Sequence, residues 1–381
     1  MVRIPPHIRA WVEIDLGRLE ANVARVRTAL PDHLSYIAVV KAEAYGHGLD
    51  PIVSRLMRAG ADLFAVANLG EAAAIRELGR GWPILVLGAL LPGEEKHAIA
   101  LGVTTTISSL QEVERLGAAA RKARKELGVH LKIDTGMGRV GVWHPEAEGV
   151  YNAIRAHPNL KLEGIFTHFA NSNIDPKLTS EQRRIFLACL KKLKDWDDCP
   201  RLIHADNSAG IRSFNRASPF NGARVGLLQF GVSPHPGSLL SSVGVSPVLS
   251  FHTRISLIKT LPRGHGISYG STHKLSRKTK IGVLAAGYGD GIPTALSNLG
   301  SVLVHGIKCP IIGRVTMDQT IVDLNKVAEA EIGDTATLIG QQGEAEITAS
   351  TFSTQSKQIP WEAFCAITAR VHRFYRSDTS L

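Results

Sequence analysis

The chain predicts an α/β fold: a (β/α)8 barrel followed by a C-terminal, mainly β domain. Two observations carry that expectation. Short apolar runs alternate with longer amphipathic stretches through about the first 235 residues, as when strands are laid parallel by the helices between them. After Gly231 the helical patterns thin out, and strand-like runs follow one another between glycines and prolines. Eight units over about 230 residues suit a closed barrel better than an open sheet. A chain of 381 residues accommodates two domains. We divide it into a barrel over 10–235 and a β domain over 236–381, with residues 1–9 joining the latter.

The eight barrel strands are expected at 36–41, 63–67, 84–87, 103–107, 129–134, 162–167, 201–205 and 223–225. Amphipathic stretches at 69–78, 109–127 and 179–195 supply helices between them. The run Ser233–Pro234–His235–Pro236–Gly237 breaks the pattern. Strands of the second domain are expected at 248–257, 280–286, 301–304, 310–312, 320–324 and 335–339. Short helices follow Ile347 and lie near 360–366, and a frayed tail is expected over 377–381.

Composition narrows the function. The formal charge is +10, from 44 Lys+Arg and 34 Asp+Glu. The cationic clusters at 121–125 and 191–194 fall on amphipathic helices, where a solvated face is the ordinary reading, so no nucleic-acid partner is expected. Cys189, Cys199, Cys309 and Cys365 form no CxxC pair, and the histidines lack metal-ligand spacing. Neither a disulfide framework nor a metal site is expected. No signal peptide and no apolar run of about 18 residues is found, so the expected home is a reducing cytoplasm, with no membrane partner.

In such a barrel the reactive groups sit where strands end. Lys41 closes the apolar run Ile37–Ala38–Val39–Val40. Desolvation there lowers an amine's pKa and frees it to form a Schiff base; a lysine that snorkels to the surface is the plain alternative. The fifth strand carries Lys132 and leads to Arg139; the sixth leads to His168. Ser208 follows the seventh strand, and Arg224 and Gly226 end the eighth. Loops seven and eight are the usual phosphate site of this fold. An amine opposite a phosphate cup is what pyridoxal 5'-phosphate requires. A rival fingerprint, GxGxxG over 136–141, meets Trp143–His144–Pro145 where its helix should run, which speaks against a nicotinamide cofactor.

The motifs Val40–Lys41–Ala42–Glu43–Ala44–Tyr45–Gly46–His47–Gly48, 132–139, Ser268–Tyr269–Gly270, Gly287–Tyr288–Gly289–Asp290–Gly291 and Gly313–Arg314–Val315–Thr316–Met317–Asp318 occur in order. Together they resemble the alanine racemases, the fold-type III pyridoxal-phosphate family, from about Arg9 to Arg376. The resemblance implies an isomerase that interconverts L- and D-alanine with two bases, Lys41 and Tyr269, on opposite faces of the substrate. It implies a homodimer in which Tyr269 comes from the partner subunit, and D-alanine supply for peptidoglycan. Tyr45, His168, Ser208, Arg224, Gly226 and Leu227 match cofactor-binding positions, with Arg224 toward the ring nitrogen. Arg139 and Met317 match substrate-binding positions, and Lys132 a lysine often carbamylated. Tyr288, Arg314 and Asp318 match the access corridor. Three positions depart from the pattern: Trp361 stands for a phosphate-binding tyrosine, Thr294 for a corridor arginine and Thr316 for a cysteine. A broader-specificity or serine racemase, and a non-catalytic pyridoxal-phosphate barrel protein, are the alternatives.

Overall fold

A computed structural model describes residues 4–172, 174–193, 201–208, 219–233 and 242–377. Cys199, the end of the 179–195 stretch, most of 233–237 with the 235/236 boundary, and most of the 377–381 tail lie outside the described residues.

Strand β1 is Ala10–Asp15. It is followed by β2 (Ser35–Val39), β3 (Leu63–Val66), β4 (Ile84–Val86), β5 (Thr104–Ile107), β6 (Leu127–Asp134), β7 (Val142–Trp143), β8 (Leu160–Phe166), β9 (Leu202–Asn207) and β10 (Gly222–Val225). Eight of these are parallel and hydrogen-bonded in the order β5-β4-β3-β2-β10-β9-β8-β6, and β5 pairs back onto β6 to close the barrel. The two-residue β7 adds to β6 at the rim.

The strands are buried on both faces because helices cover the outside. On β6, Val129, Leu131 and Ile133 alternate with His130, Lys132 and Asp134, so the polar set faces the barrel axis. The helices start where short polar side chains satisfy the free N–H groups of their first turns. Asp15 caps Leu16–Ala29, Asn68 caps Leu69–Leu78, Ser109 caps Leu110–Ala123 and Asp175 caps Pro176–Lys192.

The second domain continues with β11 (Leu249–Leu261), β12 (Gly266–Ile267), β13 (His273–Lys274), β14 (Thr279–Leu284), β15 (Ser301–Val304), β16 (Ile307–Pro310), β17 (Thr320–Asp323), β18 (Thr335–Gln342), β19 (Ala345–Ile347) and β20 (His372–Arg376). Its main sheet runs β16-β15-β18-β11-β1-β20, with β14 pairing both β11 and β17. The fold is therefore the barrel plus mainly β domain that the sequence predicts.

One boundary is corrected. The division at residue 10 puts β1 with the barrel, but β1 is hydrogen-bonded to β11 and β20 in the second sheet. The barrel is closed and offers no free edge, so a strand that precedes it must pair elsewhere.

Candidate active site

Lys41 stands just past β2 rather than closing it, at the head of a turn over Lys41–Gly46. Ala42, Glu43, Ala44 and Tyr45 all adopt left-handed backbone angles, with φ of 53, 54, 51 and 56°. For residues with a Cβ this costs about 1 kcal/mol or more each, and such strain persists only where neighbours impose it. Here Glu71 accepts from the Ala42 N–H (2.8 Å) and the Ala67 N–H (2.7 Å). The Glu43 carboxylate accepts from the Leu49 N–H, and its carbonyl from the Gly48 N–H. At Gly46, φ is +76° and an added Cβ would lie 2.3 Å from the Phe364 carbonyl oxygen. Burial, then the Arg139 and Arg224 charges, hold the Lys41 amine below the usual lysine range against the opposing pull of Glu71 and Cys365.

Arg224 projects from β10 into the same barrel mouth and is buried. One terminal nitrogen donates to the Thr167 and Ala205 carbonyls (2.9 and 2.8 Å) and to His168 Nδ1 (3.2 Å). The other donates to His204 Nδ1 (2.7 Å) and the His204 carbonyl. Its Nε donates to none of the described residues. Arginine only donates, so His168 carries its proton on Nε2. Burial and four nearby cations (Arg224, Lys132, Arg139 and Lys41) keep that ring neutral, with a pKa well below the usual value.

Lys132 lies beneath, 5.3 Å over the Phe166 ring. Burial, then Arg224 and Arg139, lower its pKa to about 8. Arg139 rides on a loop whose backbone is tied to Asp134, which accepts from the Gly136, Met137 and Arg139 N–H groups at 2.9, 2.8 and 3.2 Å. The Arg139 guanidinium has no partner among the described residues. Four cations thus share one mouth, while the nearest acids are engaged elsewhere: Asp134 by its loop, Glu71 by the turn and Asp206 by Arg183 (2.5 Å). The site calls for an anionic occupant.

The occupant's anionic end has a cradle. Ser208 Oγ accepts from the Gly226 N–H (3.0 Å). A Cβ on Gly226 would sit 2.8 Å from the Tyr45 hydroxyl, so only glycine lets the three groups converge. The N–H groups of Leu227 and Leu228 have no partner among the described residues. Trp361 packs partly buried against the core on the helix Pro360–Cys365, without a hydrogen bond from its indole among the described residues.

The second domain brings its own motifs together. The Tyr288 and Gly289 N–H groups donate to the Thr316 and Met317 carbonyls, and Ser268 Oγ donates to the Arg314 carbonyl. Asp318 pairs with Arg370 (2.8 Å). A cavity of about 570 Å³ is lined by Tyr269, Tyr288, Thr294, Arg314 and Thr316, among others, and by no barrel residue. Tyr269 is 73 % exposed and Met317 52 %. Within one chain, then, the barrel residues Lys41, Tyr45, Lys132, Arg139, His168, Ser208, Arg224, Gly226 and Leu227 gather at one mouth, whereas Tyr269, Tyr288 and Arg314 line a separate cavity.

Glu71, Cys365, Phe166 and Arg370 belong to the site's surroundings and were not expected from the sequence. Glu71 alone carried a readable signal, since Asn68 and Glu71 are spaced as a capping pair. The other three are brought in by tertiary packing.

The chain matches the alanine racemase N-terminal domain over residues 14–234 and the C-terminal domain over 248–375. It is 38 % identical to the alanine racemase of Halothermothrix orenii over 368 residues, 96 % of this chain and 97 % of that one. It is 38 % identical to the alanine racemase of Methylacidiphilum infernorum over 98 % of this chain and 94 % of that one. Among solved structures, the alanine racemase from Bacillus anthracis with bound L-Ala-P superposes with a TM-score of 0.89 at 34 % identity, covering 98 % of this chain and 97 % of that one. That from Streptomyces lavendulae gives 0.90 at 32 %, covering 99 % and 98 %.

Proposed function

The chain belongs to the alanine racemase family, and we propose that it interconverts L- and D-alanine in the cytoplasm as a homodimer, with pyridoxal 5'-phosphate held covalently on Lys41. The observation that carries this reading is the barrel mouth itself. It combines a lysine amine depressed by burial with three further cations and a cradle for a phosphate. These residues fit the cofactor. Tyr45, Ser208, Gly226 and Leu227 would receive its phosphate, and the one unengaged Arg224 nitrogen, Nε, would donate to its ring nitrogen. Trp361 offers an indole donor of different reach from a phenol, so the phosphate site leans on the other four. The cofactor supplies an electron sink for negative charge at the alanine Cα.

The chain's residues supply the rest. Arg139 pairs with the alanine carboxylate, helped by the Met317 backbone. Lys41 removes or returns the Cα proton on one face, and the phenol of Tyr269 from a second copy of the chain does so on the other. The exposure of Tyr269, in a cavity without barrel residues, favours that division. A phenol is a weak base at its ordinary pKa of about 10, and the Nε2–H of His168 is a donor suited to stabilising its anion. Arg224 cannot accept a proton, so a ring nitrogen held by it would stay unprotonated, which would favour prompt return of the Cα proton over side reactions. Tyr288, Arg314 and Asp318 form the access corridor.

Lys132 is the candidate for carbamylation. Its Nζ bonds to the carbon of CO2 and one proton leaves, giving an anion beside Arg139. That step needs the free amine. With a pKa of about 8, about one lysine in ten is neutral at pH 7, against about one in a few thousand for an ordinary side chain. Enzyme equilibrated with carbon-13 bicarbonate is expected to show a carbamate carbon resonance that strengthens as pH rises toward 8 and is missing from Lys132→Ala. A wild-type spectrum without that resonance would remove the assignment.

A wider substrate range is favoured by one observation. Thr294 and Thr316, small and uncharged, both line the cavity beside Tyr269. Racemisation of a panel of L-amino acids, read by chiral chromatography, tests the activity and its range. Alanine is expected to turn over fastest, with serine next. Cofactor binding without turnover of any amino acid would instead support a non-catalytic barrel protein. D-alanine for peptidoglycan is the physiological product in this reading.

A further inference from the structure

Below the catalytic mouth, two histidines continue the hydrogen-bond chain down the barrel axis. His204 on β9 accepts from Arg224 at Nδ1 (2.7 Å), and its Nε2 meets His130 Nδ1 on β6 at 3.0 Å. Both side chains are buried, at 0 and 2 % exposure. The His204 ring stacks on Phe166 (4.7 Å, 9°), and His130 meets the same ring edge-on at 6.1 Å. Phe166 also lies 5.5 Å below the Arg224 guanidinium. The barrel wall is shaped for the pair, since a Cβ on Gly164 would lie 2.4 Å from the His130 ring.

The donor rules leave one arrangement. Arg224 has only protons to give, so His204 Nδ1 holds a lone pair and its proton is on Nε2. That proton is given to His130 Nδ1, which leaves the His130 proton on its own Nε2. The last N–H has no partner among the described residues. His130 lines a cavity of about 940 Å³ at the opposite mouth of the barrel, with Thr104, Trp82 and Glu163. The chain thus has a fixed polarity from that cavity to the guanidinium. Reversing either ring would set one N–H against another, and a buried donor left unpaired costs about 1–3 kcal/mol.

Resting on the assignment of Arg224 to the cofactor's ring nitrogen, we propose that His204 and His130 are positioning residues that hold Arg224 in one orientation through a pair of neutral, tautomer-locked imidazoles. Neither touches substrate or cofactor. They act by leaving the Arg224 guanidinium a single rotational setting, with Nε directed away from the pair.

Two measurements test this. In holoenzyme labelled with nitrogen-15 at histidine, both rings are expected to be neutral at pH 7. His204 is expected to be protonated only on Nε2, and His130 likewise. A His204 ring protonated at Nδ1, or exchanging between tautomers, would overturn the proposal, and this result does not depend on what Arg224 faces. The second measurement is cofactor release on dialysis. His130→Leu removes the acceptor for His204 and is expected to release the cofactor about tenfold faster, the equivalent of one buried hydrogen bond. His130→Asn places Oδ1 near the site of Nδ1 and is expected to restore retention to near the wild-type rate. Equal release from the two variants, whether fast or slow, would contradict a role through that acceptor.

Discussion

Lys41→Ala is expected to abolish racemisation and, with it, the visible absorption of the bound cofactor. In the proposed mechanism the amine is the covalent anchor and one of the two bases, so its loss would remove both roles at once. A fall in turnover of at least about a thousandfold is expected from the proton-transfer role alone. The fold should survive, because the turn over Lys41–Gly46 is held by backbone bonds to Glu71 and Glu43 and not by the lysine side chain. Absorbance spectra of the purified variant, with an alanine racemisation assay in both directions, check the prediction. A variant that keeps the absorption band and more than a tenth of wild-type turnover would show that another amine holds the cofactor.

Tyr269→Phe is expected to leave cofactor binding unchanged and to slow Cα–H abstraction from L-alanine by roughly a hundred- to ten-thousandfold, the range of one general base. Exchange of the D-alanine Cα proton with deuterated solvent should be far less affected, since the proposal gives that face to Lys41. The phenol ring is mostly exposed in the single chain, so losing its hydroxyl removes no buried contact. Proton nuclear resonance of each enantiomer in deuterium oxide separates the two faces. Equal slowing of both would contradict separate bases.

Much of this architecture is legible in the sequence because it depends on local patterning. Alternation of short apolar runs with amphipathic stretches implies the parallel barrel, and the polar positions that interrupt β6 and β9, Lys132 and His204 among them, are the ones that face its axis. Strand β1 is not legible. Its pairing partners, β11 and β20, lie more than 230 residues away, and nothing in Ala10–Asp15 distinguishes a second-sheet strand from the lead-in to the barrel. Lys41 could be singled out by its place after an apolar run. The left-handed turn that presents it could not, because Ala42, Glu43 and Ala44 are ordinary helix formers forced into that shape by Glu71 and Gly46. The polarity of the His130–His204–Arg224 chain is likewise invisible along the sequence. It appears only when three separate strands bring those side chains together along the barrel axis.

Mixing subunits of Lys41→Ala and Tyr269→Phe tests most directly whether the two bases come from different chains. A dimer with one subunit of each variant would contain one site lacking both groups and one intact site. Refolding an equal mixture is therefore expected to restore about a quarter of wild-type alanine racemisation, from random pairing into symmetric dimers. Activity no higher than that of the two variants assayed alone would contradict the shared site and place both bases within a single chain.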